Sequence, residues 1–212
     1  MDFLGQELRE YVESHTTAES DLLKKINRET FSKILMPQML SGHLQGRVLS
    51  MLSKMIKPSK ILEIGTFTGY SAICLAEGLT TKGKLITIDI NEELEDRVRG
   101  YFDEAGLETI IDYRIGNALD IIPELDDKFE LVFIDADKVN YSRYFDLVID
   151  KILPGSYIII DNVLWSGKVV DQNVSDNDTV AIREFNDMVE NESRVDNVLI
   201  PIRDGLMVLR KN

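Results

Sequence analysis

The chain is poor in several things at once. Its 212 residues hold one cysteine, two histidines and one tryptophan. A lone Cys74 excludes an internal disulfide and any cysteine-rich zinc module. It falls mid-helix in the sequence pattern with no histidine nearby, which weakens a thiol nucleophile. His15 and His43 have no partner at ligand spacing and read as structural. Positive charge is scarce: 24 Lys and Arg stand against 37 Asp and Glu, a formal net charge of −13. Proteins that hold nucleic acid or an anionic membrane present a basic face, so the balance argues against both. No apolar run nears the roughly 20 residues of a membrane span. Met1 to Glu7 lack the basic start and apolar centre of a secretory signal, and a cytoplasmic protein is expected. No G-x-S-x-G and no G-x-x-x-x-G-K-[ST] occurs, so hydrolase and P-loop readings lose support.

What is present suits a soluble α/β protein. The composition is 44% apolar and 29% charged, enough for a sizeable core. At this length one domain spanning residues 1–212 is expected, with no linker, repeat or low-complexity tract. Residues 1–57 read as a helical extension. Leu4, Leu8, Tyr11 and Val12 recur at helical spacing, as do Leu44, Val48, Leu49, Leu52 and Met55. Pro37 divides two helical pieces and Pro58 ends the second. From residue 58 short apolar runs alternate with amphipathic stretches. Strands are expected at 61–64, 85–89, 110–115, 129–134 and 157–161, with helices near 69–79, 92–105, 118–125, 139–153 and 177–192. The runs 195–200 and 206–209, joined through Pro201–Gly205, read as a hairpin that reverses the last strand. The β-branched runs imply strands buried on both faces, hence a doubly wound parallel sheet.

Ligands of such sheets gather beyond the carboxyl ends of the strands. Polar residues stand at every such end: Glu63 with Gly65, Asp89, Gly116 with Asn117, Asp135, and Asp161 with Asn162. The segment from Glu63 to Ser71 puts glycines where backbone must turn tightly or approach a ligand, or is an ordinary strand-to-helix turn. Its lack of G-x-G-x-x-G weakens a nicotinamide reading. Asp89 suits the two hydroxyls of a ribose, or caps the next helix together with Asn91. Asp135, Asp161 and Asn162 supply two carboxylates and an amide oxygen. That hard oxygen set suits Mg²⁺, Mn²⁺ or Ca²⁺, and equally describes three polar loop caps. Lys138 is a general-base candidate or a surface lysine paired with Asp137. Trp165 walls an aromatic acceptor or simply packs. The acidic stretch 171–178 reads as a solvated loop or as a flexible edge of the acceptor site.

Taken together, LEIGTFTGYS, ITIDIN, VFIDADKVNY and DNVLWSGKVV resemble the cation-dependent O-methyltransferases, which include caffeoyl-CoA and catechol O-methyltransferases and their bacterial relatives. The resemblance covers residues 36–210, and DADK with NY and DN with W are its specific part. It implies a class I methyltransferase fold, a Rossmann-like seven-stranded sheet with the last strand antiparallel. It implies S-adenosylmethionine as cofactor. Glu63, Gly65, Thr66, Gly69, Tyr70 and Ser71 match the motif around its amino-acid end. Asp89 matches the ribose acid, and Asn117 and Ala118 the adenine-side loop. Met39 and Ser41 match the segment over the methionine portion. Asp135, Asp161 and Asn162 match the ligands of a divalent cation, Mg²⁺ first. Asp135 also lies at the cofactor and catalytic positions. Lys138 matches the catalytic lysine of the catechol enzymes. Met39, Lys138, Trp165 and Ser166 match acceptor-side positions. The partners implied are a small catechol-like phenol and a second copy of the chain, as a homodimer.

Two departures stand out. Ser41 to Arg47 replaces a T/S-S-A-D-E-G-Q run, of which only Ser41 and Gly46 fit. Ser166 stands where the plant enzymes carry asparagine. The implied chemistry is methyl transfer to a hydroxyl whose acidity a cation raises, with Lys138 taking the proton and Met39 and Trp165 excluding water. The rival readings are a transfer-RNA hydroxyuridine methyltransferase, disfavoured by the charge, and a non-catalytic S-adenosylmethionine-binding protein. A nicotinamide dehydrogenase is the third.

Overall fold

The computed structural model describes residues 5–212. Leu4 and the first residues of the chain, which figured in the stripe and leader arguments, lie outside the described residues. The described residues divide into two compact units, 5–117 and 118–212.

In the first unit α1 (Gln6–Ser14), α2 (Asp21–Lys33) and α3 (Gly42–Ile56) form the extension. Two helical pieces were expected, and three are found. The break at Pro37 is present, as a 3-10 turn over Pro37–Met39 entered through left-handed Met36. The extra break follows α1. There the Ser14 hydroxyl donates to Tyr11 O and the Thr16 hydroxyl to Val12 O. Such hydroxyls compete with the backbone for helical carbonyls. Ser20 then restarts the chain by accepting the Leu23 N–H at 3.2 Å. Left-handed Lys57 closes α3 ahead of Pro58.

The unit continues with β1 (Lys60–Ile64), α4 (Tyr70–Ala76), β2 (Lys84–Asp89), α5 (Glu95–Glu104) and β3 (Ile111–Ile115). β2 pairs parallel with both β1 and β3. Ile61, Leu62, Leu85 and Ile88 are fully or almost fully buried, as strands covered on both faces require. The helix expected from 92 begins as a 3-10 turn, Glu92–Leu94, capped by Asn91. α3 meets α4 through a charged cluster. Arg47, Ser50 and Lys54 all donate to the Glu77 carboxylate, at 2.7–3.1 Å. Burial alone raises a carboxyl's pKa, but these donors overcome it and hold Glu77 down at about 2. Beneath them Cys74 is buried in α4 and accepts from Arg47 at 3.2 Å. Burial pushes its thiol up to about 12 against the pull of Arg47.

The second unit runs α6 (Ala118–Ile121), β4 (Phe129–Ile134), α7 (Tyr141–Ile149), β5 (Ile152–Asp161), α8 (Asn177–Glu190), β6 (Val195–Ile200) and β7 (Leu206–Lys211). The helix expected over 139–153 is shorter. A 3-10 turn takes Lys138–Asn140, and β5 claims the chain from Ile152. β4 and β5 are parallel, and β7 lies antiparallel between β5 and β6. Phe129, Phe133, Phe145 and Phe185 fill this unit's core. The strands form one mixed seven-stranded sheet, ordered β3-β2-β1-β4-β5-β7-β6. Among the described residues no helix is long and apolar enough to cross a membrane.

Candidate active site

In the first unit the predicted residues gather past the ends of β1 and β2. Glu63 is the penultimate residue of β1 and is fully buried. Burying a carboxylate is costly unless it is hydrogen-bonded, and the Thr87 hydroxyl donates to its Oε2. Thr87 Oγ1 also lies 2.6 Å from the buried Thr66 hydroxyl. The turn after β1 bends through positive φ at Gly65 (97°), Phe67 (47°) and Gly69 (78°). Gly69 is required here: a Cβ would lie 2.8 Å from the Phe102 ring, in a backbone region L side chains rarely adopt.

Asp89 holds that turn in place. Its Oδ2 accepts the N–H of Thr66 at 2.9 Å and of Phe67 at 2.6 Å, while Oδ1 accepts from Asn91 N–H at 2.9 Å. The cap on the helix that follows is Asn91, not Asp89. Tyr70 is buried, and its hydroxyl donates to Glu19 at 2.6 Å. Its side chain therefore braces the extension. Ser41 and Ser71 are buried, Asn117 is exposed, and Met39 is 54% exposed on its 3-10 turn.

In the second unit the ends of β4 and β5 meet at a residue outside the predicted set, Tyr141. It is buried at the start of α7. Lys138, also buried, donates from Nζ to Tyr141 Oη at 2.7 Å, Asp135 Oδ1 at 3.1 Å and Ala136 O at 2.9 Å. Tyr141 in turn donates to Asp161 O at 2.9 Å. Lys138 thus pairs with Asp135. The alternative partner Asp137 instead accepts from Tyr144 at 2.5 Å and from Asn140. Burial, then the charges of Asp135, Asp161, Asp137 and Asp204, push the Tyr141 hydroxyl well above its ordinary pKa. It stays protonated and keeps donating.

Asp161 is buried, and its Oδ1 accepts the Asn162 N–H at 2.7 Å. Asn162, Trp165 and Ser166 all take left-handed backbone. Lys138 Nζ and Lys168 Nζ each lie 5.7 Å from the Trp165 ring. Trp165 Nε1 is buried without a hydrogen-bond partner. Among the described residues no group of three His, Cys, Asp or Glu side chains gathers as a metal nest. At the ends of β4 and β5, Asp135, Asp161 and Asn162 offer two carboxylates and one amide oxygen.

The family model for O-methyltransferases matches residues 13–212. The chain belongs to the O-methyltransferase family. It is a methyltransferase enzyme. A caffeoyl-CoA O-methyltransferase of Stellaria longipes is 30% identical over 220 residues, 98% of this chain and 91% of that protein. A catechol O-methyltransferase of Niastella koreensis is 35% identical over 169 residues, 78% of this chain and 76% of that one. Among solved structures, the O-methyltransferase from Bacillus cereus in complex with SAH superposes with a TM-score of 0.90 at 30% identity, covering 97% of each chain. TomG from Streptomyces achromogenes, in complex with SAM, gives 0.89 at 29%, covering 99% of this chain and all of that one. The family places this enzyme with the caffeoyl-CoA and catechol type. Tyr141 had a signal in the sequence, since it is the last residue of VFIDADKVNY; what it joins did not.

Proposed function

We propose that this enzyme transfers the methyl group of S-adenosylmethionine to a hydroxyl of a small catechol-like phenol, with a divalent cation held by Asp135, Asp161 and Asn162. The observation that carries the proposal is the Asp135–Lys138–Tyr141–Asp161 chain of hydrogen bonds. It ties a lysine to one carboxylate and to the backbone of another, at the ends of two paired strands.

The residues fit the groups they are assigned. Two carboxylates and an amide oxygen are hard donors of the kind Mg²⁺ takes. A bound cation supplies Lewis acidity that makes a chelated hydroxyl easier to deprotonate. S-adenosylmethionine supplies an electrophilic methyl group on a sulfonium. Glu63, a buried carboxyl, suits the ammonium of its methionine portion. Asp89 serves the cofactor by shaping the Thr66–Gly69 turn and by the acceptor capacity of its oxygens toward a ribose. Gly65, Tyr70, Ser71, Asn117, Ala118, Met39 and Ser41 complete the assignment.

Lys138 takes the hydroxyl proton. The ammonium that results has three donors, and Asp135, Ala136 and Tyr141 are three acceptors that match them one for one. Trp165 offers a flat wall for an aromatic ring, and its unpartnered Nε1–H a donor for a ligand oxygen. Ser166 lies beside it. The same reading includes a homodimer, for which exposed Leu8, Tyr11, Phe31 and Met55 of the extension are available; sedimentation decides it.

The test is S-adenosylhomocysteine release from S-adenosylmethionine and a caffeate-type catechol, with Mg²⁺ and then with excess EDTA. Turnover that EDTA stops supports the reading. Turnover indifferent to EDTA removes the cation, and binding of S-adenosylmethionine without turnover removes the phenol.

A further inference from the structure

The segment after β5, residues 162–176, carries Asn162, Trp165 and Ser166 but has little packing of its own. No residue of Trp165–Val170 is buried, Val170 is 79% exposed, and residues 171–173 are exposed. Three of its non-glycine residues are left-handed, each costing of order 1–3 kcal/mol unless the surroundings impose it. Burial anchors only Val163, which is fully buried. Hydrogen bonds impose the rest, from two sides.

The β6–β7 hairpin holds the first part. Val163 and Leu164 N–H donate to Gly205 O and Asp204 O, at 3.3 and 2.9 Å, and Ser166 N–H donates to Asp204 Oδ1. Gly205 must be glycine: its φ is +87°, and a Cβ would lie 2.6 Å from Leu164. Helix α8 holds the second part through one side chain. Arg183 donates from Nε to Val169 O at 2.9 Å and from Nη1 to Val174 O at 2.9 Å. Its Nη2 reaches Lys168 O at 2.8 Å and Asp171 O at 2.5 Å. Four backbone carbonyls across residues 168–174 thus converge on a single guanidinium. A planar fork with five fixed donors can do this; a lysine ammonium, a point charge with three donors, cannot.

We propose that Arg183 is a positioning residue for the acceptor: it sets the backbone of residues 168–174 and through it the placement of Trp165 and Ser166. The consequence for the acceptor rests on the function proposed above, while the ordering of the loop does not. Trp165 is the only tryptophan, so emission excited selectively at tryptophan, beyond tyrosine absorption, reports this loop alone.

The experiment compares wild type, Arg183→Lys and Arg183→Ala as full-length proteins. Acrylamide quenching of Trp165 is measured without ligands, and KM for catechol and for S-adenosylmethionine with Mg²⁺ present. The expected result is stronger quenching and a red-shifted emission in both variants. With it comes a rise of roughly tenfold in KM for the catechol, below the ~10²-fold that a misplaced reacting group can cost. KM for S-adenosylmethionine stays at the wild-type value. Unchanged quenching in Arg183→Ala overturns the proposal, as does stronger quenching with an unchanged catechol KM. If Arg183→Ala does not fold, Arg183→Lys gives the same two readouts. A wild type inactive on catechol refutes the assigned acceptor, and the quenching comparison still decides whether Arg183 orders the loop.

Discussion

Tyr141→Phe removes one oxygen and two hydrogen bonds. The ring fits the same space, so packing is conserved and the loss is polar. The hydroxyl accepts from Lys138 at 2.7 Å and donates to the buried end of β5 at Asp161 O. A hydrogen bond to a charged group contributes about 1.5–3 kcal/mol and a neutral one about 1 kcal/mol. Relief from no longer burying a hydroxyl offsets part of this, leaving an expected loss of about 2–4 kcal/mol. For a protein of this length that lowers Tm by roughly 5–15 °C. The comparison is Tyr144→Phe, three residues along the same helix. That hydroxyl makes one bond, to Asp137, whose carboxylate is exposed and so exchanges it for water; its loss should cost about 1–2 kcal/mol, the lower part of the range for a charged partner. Calorimetric melts of the two variants beside wild type give the difference. Activity adds a second reading, because Lys138 in Tyr141→Phe keeps only Asp135 and Ala136 as acceptors and loses its orientation. Equal melting of the two variants, with wild-type turnover in Tyr141→Phe, would refute the view that this tyrosine joins the two strand ends.

Asp161→Ala is expected to abolish turnover and weaken Mg²⁺ binding measured by calorimetry; wild-type turnover removes the carboxylate from the cation's ligands. Lys138→Ala is expected to lower kcat by roughly 10²–10⁴ if the lysine takes the proton, and an unchanged kcat takes it out of the mechanism. Glu77, whose folded pKa is depressed to about 2 from the ordinary 4.5, contributes stability that is complete above pH 4.5 and is lost as pH falls toward 2. Urea melts should therefore show Glu77→Gln less stable than wild type near pH 7, with the gap closing below pH 4.5. A gap that does not depend on pH contradicts the assigned role of Arg47, Lys54 and Ser50.

Much of this fold is legible in one sequence because its strands are covered on both faces. Runs such as Ile158-Ile159-Ile160 suit strands covered on both faces, and the polar residue that ends each run marks the ligand edge. The short-range competitions are less legible. Nothing in apolar spacing separates α1 from α2, since the break is made by Ser14 and Thr16 bonding carbonyls that a helix leaves open. Asp89 shows a different limit. A carboxylate at a strand end can cap a helix, bind a ribose or hold the preceding turn, and only distances show that Thr66 and Phe67 claim it here. What Tyr141 joins and what Arg183 gathers were hidden for the same reason. A tyrosine at a helix start and an arginine in an amphipathic helix look like a core residue and a solvated one. Their roles arise from backbone oxygens, which carry no signature in the residue letters.

Cys74 has a practical consequence. Enclosed in α4 with its thiol pushed up to about 12, it presents almost no thiolate to a maleimide or nitroxide reagent at neutral pH. The natural chain is therefore already a background for single-site labelling. Val170→Cys, at a position 79% exposed, creates one addressable sulfur on the segment that Arg183 gathers, and a spin label there reads that segment's motion without any other cysteine having to be removed.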